Sequence, residues 1–290
     1  MQRGMVLVIV LWIVTLLAVV AGGFAYSMRV ETRLATSAVE RTQARALVEA
    51  GVAYALVWQL DLEAQKQWSP NGDPHDWEFG GGRVRISVAD AAGRINLNNA
   101  DPQLLRQALI AVGVAEAEAE NLAAAIADWR DQDDQTQPGG AESAEYRSAG
   151  RVGPKNTSFE SVEELQQVLG INRDTAQHLA GLATTETLVS GINPQLASLA
   201  VLRAVTGRDE QTLADYVSTR ARAAREGAPP PPLPTGDGPS FFSGSRSGVY
   251  HIVVTAQAGT GATVSAETVV STQNPPRGQV AQWLSWRLTR

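Results

Sequence analysis

From Met5 to Tyr26 the chain runs apolar, with Thr15 as its one polar residue. As a helix rising about 1.5 Å per residue, this run is long enough to cross the roughly 30 Å hydrocarbon core of a bilayer. Past Tyr26 the helical period persists but turns amphipathic. Leu34, Ala38, Arg41, Arg45, Val48, Val52 and Leu56 recur at three- and four-residue steps, with arginine and glutamate on the remaining faces. No proline interrupts residues 1–59. The pattern predicts one helix of about 55 residues, or about 80 Å, membrane-spanning over 5–26 and amphipathic over 27–60. The alternative is an anchor and a soluble helix broken at Gly22-Gly23.

The period then changes to two. Val84, Ile86 and Val88 alternate with Arg83, Arg85 and Ser87, and a turn at Asp90-Gly93 precedes Ile95 and Leu97, so residues 61–98 predict two short strands. Residues 99–238 read as short helices with their own apolar faces. Their start signals are Asp101-Pro102, a Ser161/Glu164 capping box and Asn193-Pro194. The proline-rich stretch from Ala228 ends this block. Over 239–290 alternation returns around a glycine-rich turn, and a last strand would set Trp283 and Trp286 on opposite faces. Strands on both sides of a helical block point to an α+β fold, a long N-terminal helix and one sheet interrupted by an inserted helical domain.

Composition narrows the chemistry. The 290 residues carry a formal charge of -6 and no cysteine, which excludes disulfides and thiolate metal sites and argues against a generally basic, nucleic-acid-binding surface. "INLNNADPQLLRQALIAVGV" (95–114) resembles helix-hairpin-helix DNA-binding modules, and "INPQLASLAVLRAVTG" (192–207) is a weaker repeat of it. Residues 98–240, however, hold 11 basic against 20 acidic side chains, so the hairpin is read as structure. Enzymatic signals are poor. Arg246 occupies the serine position of a nucleophile elbow in "GSRSG", "GRVGPKNTS" lacks phosphate-loop spacing, and the three histidines lie in separate segments, as surface or capping residues. Trp58, Trp68, Trp77 and Trp129 are read as core or domain-junction anchors.

One segment concentrates charge. "DWRDQDDQTQPGGAESAEY" (128–146) places six carboxylates within eighteen residues. Counted from Asp131, Asp133 and Glu142 fall at EF-hand ligand positions, but Gln135 and Thr136 break that motif. Calcium takes six to eight oxygen ligands, and the Gly139-Gly140 turn lets Glu142 fold back toward Asp131. A hard-cation cage, a solvated acidic loop and a carboxylate pair for acid/base work all remain open on residue chemistry.

The N-terminus carries a resemblance. A leader at residues 1–4 ending in Arg3-Gly4, followed at once by the long apolar helix, resembles type IV pilins and pseudopilins. The apolar run lacks a small-residue signal-peptidase site, so the helix is expected to be retained. In those families a prepilin peptidase cuts after the glycine and methylates the new terminus, which implies cleavage between Gly4 and Met5 and methylation of Met5. Most members have glutamate at the fifth mature position, where this chain has Ile9. Its absence is similar to the K-type minor pseudopilins of type II secretion systems. That resemblance implies a non-enzymatic subunit at the pseudopilus tip that helps initiate assembly and export folded periplasmic proteins. It also implies an inner-membrane single-pass protein with its bulk in the periplasm. The implied partners are the I- and J-type minor pseudopilins, the major pseudopilin, prepilin peptidase, the assembly platform and membrane lipid, with no nucleic acid. These proteins pack the N-terminal helix on a small antiparallel sheet with an all-helical domain inserted between strands, and share in that domain a "DW.D.D…GAE…Y" segment where a member of known structure binds calcium; it falls here on Asp128, Trp129, Asp131, Asp133, Gly140, Ala141, Glu142 and Tyr146. The expected calcium ligands are Asp131, Asp133, Asp134, Glu142 and Glu145. A type IV pilus minor pilin and a membrane-tethered DNA-binding protein are the alternatives.

Overall fold

The computed structural model describes residues 3–234, 241–259 and 261–289. Residues 1–2 of the expected leader and the expected boundary at 238/239 lie outside the described residues. Helix α1 (Arg3–Leu60) is continuous through Gly22-Gly23, at 58 residues or about 87 Å. Every described side chain from Leu7 to Thr36 is exposed. Burial begins at Ala44 and follows one face through Leu47, Val48, Val52, Ala55 and Leu56. The apolar stripe expected from Leu34 onward is therefore too long: Leu34, Ala38 and Arg41 are exposed because the sheet reaches only as far as Glu40 and Gln43, and Arg45 is exposed beside buried Ala44 because it faces away from the sheet.

That sheet is five-stranded and antiparallel, in the order β1-β2-β5-β6-β7. Its strands are β1 (Asn71–Phe79), β2 (Gly82–Asp90), β5 (Val249–Ala258), β6 (Thr263–Ser271) and β7 (Gln282–Thr289). β2 pairs directly with β5, from Gly82 opposite Ala258 to Asp90 opposite Tyr250, so the intervening helices form an insert. Val84, Ile86, Val88, Ile252, Val254 and Ala256 project onto α1 and form one core with it. The approach is close at Gly51, where a Cβ would lie 2.8 Å from Val254 and 2.9 Å from Val84. Beside α1, Trp77 stacks on Tyr54 at 4.3 Å between ring centroids, and Trp68 on His75 at 4.4 Å.

Three expectations need correction. The partner of β2 is β1, whose glycine, proline and aspartates hide a strand, whereas Ile95-Asn96 is a two-residue strand β3 paired in parallel with β4 (Ala183–Thr184). Asn193 opens no helix: its side chain accepts from Gln195 N–H in a local turn, and Ser198 caps the helix that follows. Trp283 and Trp286 share a face, with centroids 5.6 Å apart, because a bulge opposite Val269-Val270 adds one residue to β7 and resets its alternation.

The insert packs α3 (Pro102–Ala111), α4 (Glu116–Arg130), α5 (Ser143–Ser148), α6 (Arg173–Leu182), α7 (Leu199–Thr206) and α8 (Glu210–Glu226) around a second core. It meets the sheet face opposite α1 through Ala91, Val249 and Val269 and a set of polar joints. In one joint, His251 Nδ1 lies 3.3 Å from Arg94 Nη1 and Nε2 lies 3.2 Å from Thr184 Oγ1. Arginine only donates, so Nδ1 accepts and the ring is neutral with its proton on Nε2. Burial and then the neighbouring Arg94 charge hold His251 down to about 3. The histidine read as surface or capping is thus an interdomain joint.

Candidate metal-binding loop

The acidic segment joins α4 to α5. Asp128 lies in the last turn of α4, Asp131 caps its C-terminus and Glu142 caps the N-terminus of α5. Their carboxylate oxygens come within 4.8 Å of one another. Asp128 is fully buried and Glu142 is 1% exposed. Asp128 is fixed by backbone donors: Ala141 N–H at 2.8 Å and Gln137 N–H at 3.3 Å, both to Oδ2. Gly140 permits this closure, since a Cβ there would lie 2.0 Å from Asp128 Oδ2.

Oδ1 of Asp131 and both oxygens of Glu142 are buried with no hydrogen-bond partner. Burial first, then the adjacent carboxylates, pushes Glu142 up from 4.5 to about 7. Burial likewise raises Asp128 and Asp131, with neighbouring aspartates adding to it. Orphaned buried carboxylate oxygens facing one another are costly without a positive partner.

The remaining expected ligands are engaged otherwise. Asp133 Oδ1 accepts from Gln135 N–H at 2.9 Å, and its carbonyl accepts from Asn156 at 2.8 Å. Asp134 Oδ1 accepts from Ser143 N–H at 3.1 Å, and hydrogen bonds from Ser143 lower its pKa. Glu145 accepts from Glu142 N–H at 2.9 Å and from Thr136 at 3.3 Å; its pKa is lowered chiefly by the first of these. Asp133, Asp134 and Glu145 brace the loop, while Asp128, Asp131 and Glu142 form its cluster. Asp128 was absent from the expected ligand set although its spacing from Asp131 puts both on one side of a helix end.

The donor set fits a hard cation. It is all oxygen, which suits calcium or magnesium better than zinc or copper. Three carboxylates without an ion-pair partner among the described residues leave about three negative charges to neutralise. Calcium's flexible shell accepts such an irregular cradle more readily than the strict octahedron of magnesium.

Comparison with known proteins places this loop. Residues 87–185, which contain the whole acidic segment, match the family described as "Type II secretion system (T2SS), protein K". No curated protein matches the sequence. Among solved structures, a chain from the GspK-GspI-GspJ complex of the enterotoxigenic Escherichia coli type 2 secretion system superposes with a TM-score of 0.52. It is 14% identical, over 86% of this chain and 99% of that one. At that identity the likeness carries the fold. A long N-terminal helix on an antiparallel sheet, with helices inserted, is a GspK-like pseudopilin fold. The matched segment and the N-terminal resemblance agree: over residues 87–185 the chain is similar to protein K of type II secretion systems.

Proposed function

We propose that this chain is the non-enzymatic subunit at the tip of a type II secretion pseudopilus, anchored in the inner membrane with its bulk in the periplasm. The observation that carries the tip placement is where the insert leaves the sheet. The β1-β2 turn meets the membrane-proximal part of α1, with Gln43 donating to the Gly80 carbonyl at 3.0 Å. The insert departs after Asp90 and returns at Val249, the opposite, membrane-distal end. It therefore takes up the space a further subunit would need beyond this one. Ile9 agrees with that position, since a tip subunit has no outward neighbour whose terminal amine it must pair.

The exposed helix between Tyr26 and Ala44 supports assembly with other pseudopilins. It presents Met28, Val30, Leu34 and Val39 to solvent, apolar surface that neighbouring helices would cover. The I- and J-type minor pseudopilins are the partners this reading names, with the major pseudopilin below them. Before assembly, prepilin peptidase removes residues 1–4 and methylates Met5. Calcium binds at Asp128, Asp131 and Glu142 and closes the α4-α5 loop. Imaging the labelled protein on assembled pseudopili tests the placement. A single label at one end of each filament is expected, and labels along the shaft would overturn it.

A further inference from the structure

The insert builds one hairpin twice. Asp101 caps α3 and α4 follows; Ser198 caps α7 and α8 follows. In each copy, the second helix returns one arginine to the loop ahead of the first. Arg130 donates from Nη1 to the Leu97 carbonyl and from Nη2 to the Ala100 carbonyl, the latter at 2.7 Å. Arg220 donates in the same way to Pro194 and, at 2.7 Å, to Ala197. In both copies the accepting carbonyls lie four and one residues ahead of the helix cap. A planar guanidinium satisfies two such carbonyls at once, which a lysine ammonium on a flexible stem does not.

The clamps differ in what adjoins them. Arg130 sits between Asp128 and Asp131, at the end of α4; the corresponding neighbours of Arg220 are Ser218 and Ala221, within α8. We infer that Arg130 is a positioning residue for the metal loop: by pinning the end of α4 to the 97–100 loop it holds Asp128 and Asp131 turned toward Glu142. This inference rests on the proposal that the loop binds calcium.

The sign of the effect separates positioning from charge. Arg130 is a cation beside the cluster, so Coulomb's law alone has its removal tighten cation binding. Loss of a group that orients ligands instead weakens binding, typically by about 10- to 100-fold. The test is calcium titration calorimetry on the detergent-solubilised full chain, with melting in chelator as the measure of stability. Arg130→Met should weaken calcium binding about tenfold or more. Arg220→Met should lower the chelator melting point comparably yet leave calcium affinity within about twofold of wild type, as expected of a distant site. Arg130→Lys, which keeps the charge and loses the fork, should weaken binding as well, and decides the matter alone if Arg130→Met does not fold. Unchanged or tighter binding in the Arg130 variants, or equal weakening in Arg220→Met, overturns the inference while leaving the metal site standing. A wild-type chain that takes up no calcium removes both.

Discussion

Glu142→Gln should invert the stability ranking of this protein between calcium and chelator. In the fold Glu142 is pushed up from 4.5 to about 7, by burial first and then by the adjacent carboxylates. A carboxyl whose folded pKa is raised contributes stability that is fully present below the unfolded value and is lost as pH rises through the folded one. The window is therefore pH 4.5 to about 7. At 1.36 kcal/mol per pH unit, the ionised side chain costs roughly 3 kcal/mol at pH 8, and on the order of 2 kcal/mol once local relaxation is allowed. Glutamine keeps the shape, carries no charge, and offers an amide N–H to the oxygens of Asp128 and Asp131.

Removing residues 1–26 leaves both cores intact, because burial on α1 begins only at Ala44. Melting of that shortened protein at pH 8 in chelator should place Glu142→Gln about 4–8 °C above wild type, at roughly 2–4 °C per kcal/mol for a chain of this size. Calcium at a hundred times its dissociation constant adds about 2.7 kcal/mol to wild type and far less to the variant. Wild type should then melt higher. A variant less stable than wild type in chelator would refute the reasoning, since Glu142 would then be an ordinary structural side chain.

Gly51→Val should cost about 2 kcal/mol or more by forcing α1 off the sheet, read as a lowered urea midpoint. His251 should make stability fall as pH drops below 6.5, because the unfolded state takes up its proton there and the folded state only near 3. The slope, on the order of 1 kcal/mol per pH unit, should flatten in His251→Asn when urea melts are compared in the Glu142→Gln background, free of that residue's opposite trend. Gly4→Val should leave residues 1–4 attached, seen as an unprocessed mass; Met1 retained in wild-type protein would remove the cleavage proposal.

Much of the architecture was legible because it rests on local signals. A 58-residue helix without proline, the alternation of Val84, Ile86 and Val88, and Asp101-Pro102 as a helix start each follow from spacing within a few residues. What was missed depends on distant partners. β1 carries Gly72, Pro74 and three acidic residues, and is a strand only because β2 lies beside it. The shared face of Trp283 and Trp286 depends on a bulge that no pattern within β7 records. At the loop, the sequence supplied six carboxylates. Which of them cluster was decided by the fold of the loop: backbone donors from Gln137 and Ala141 draw the chain over Asp128 and bring Glu142 to face it and Asp131, while Gln135 and Ser143 occupy Asp133 and Asp134. Asp128 could have been found from its i to i+3 relation to Asp131 at a helix end.

The same long-range view bears on how anchor and insert depend on each other. Each has its own core, one formed by α1 with the sheet and one by the helices. Between them stand three small apolar residues and polar joints such as Asp90 with Ser247, Arg94 with His251, and Arg287 with Glu163 at 3.2 Å. Such joints contribute about 1 kcal/mol each, and exposed ion pairs less, so the stability of the insert rests on its own packing and on its loop. None of the loop's carboxylates belongs to the core of α1 and the sheet, and α1 lies on the far side of the sheet from the insert. A cation at Asp128, Asp131 and Glu142 would therefore act on the insert without altering the core that α1 forms with the sheet. If the loop takes up calcium, chelator should raise amide hydrogen exchange in α4 and α5 while leaving exchange in β2 and β5 unchanged; equal increases in both would refute this independence.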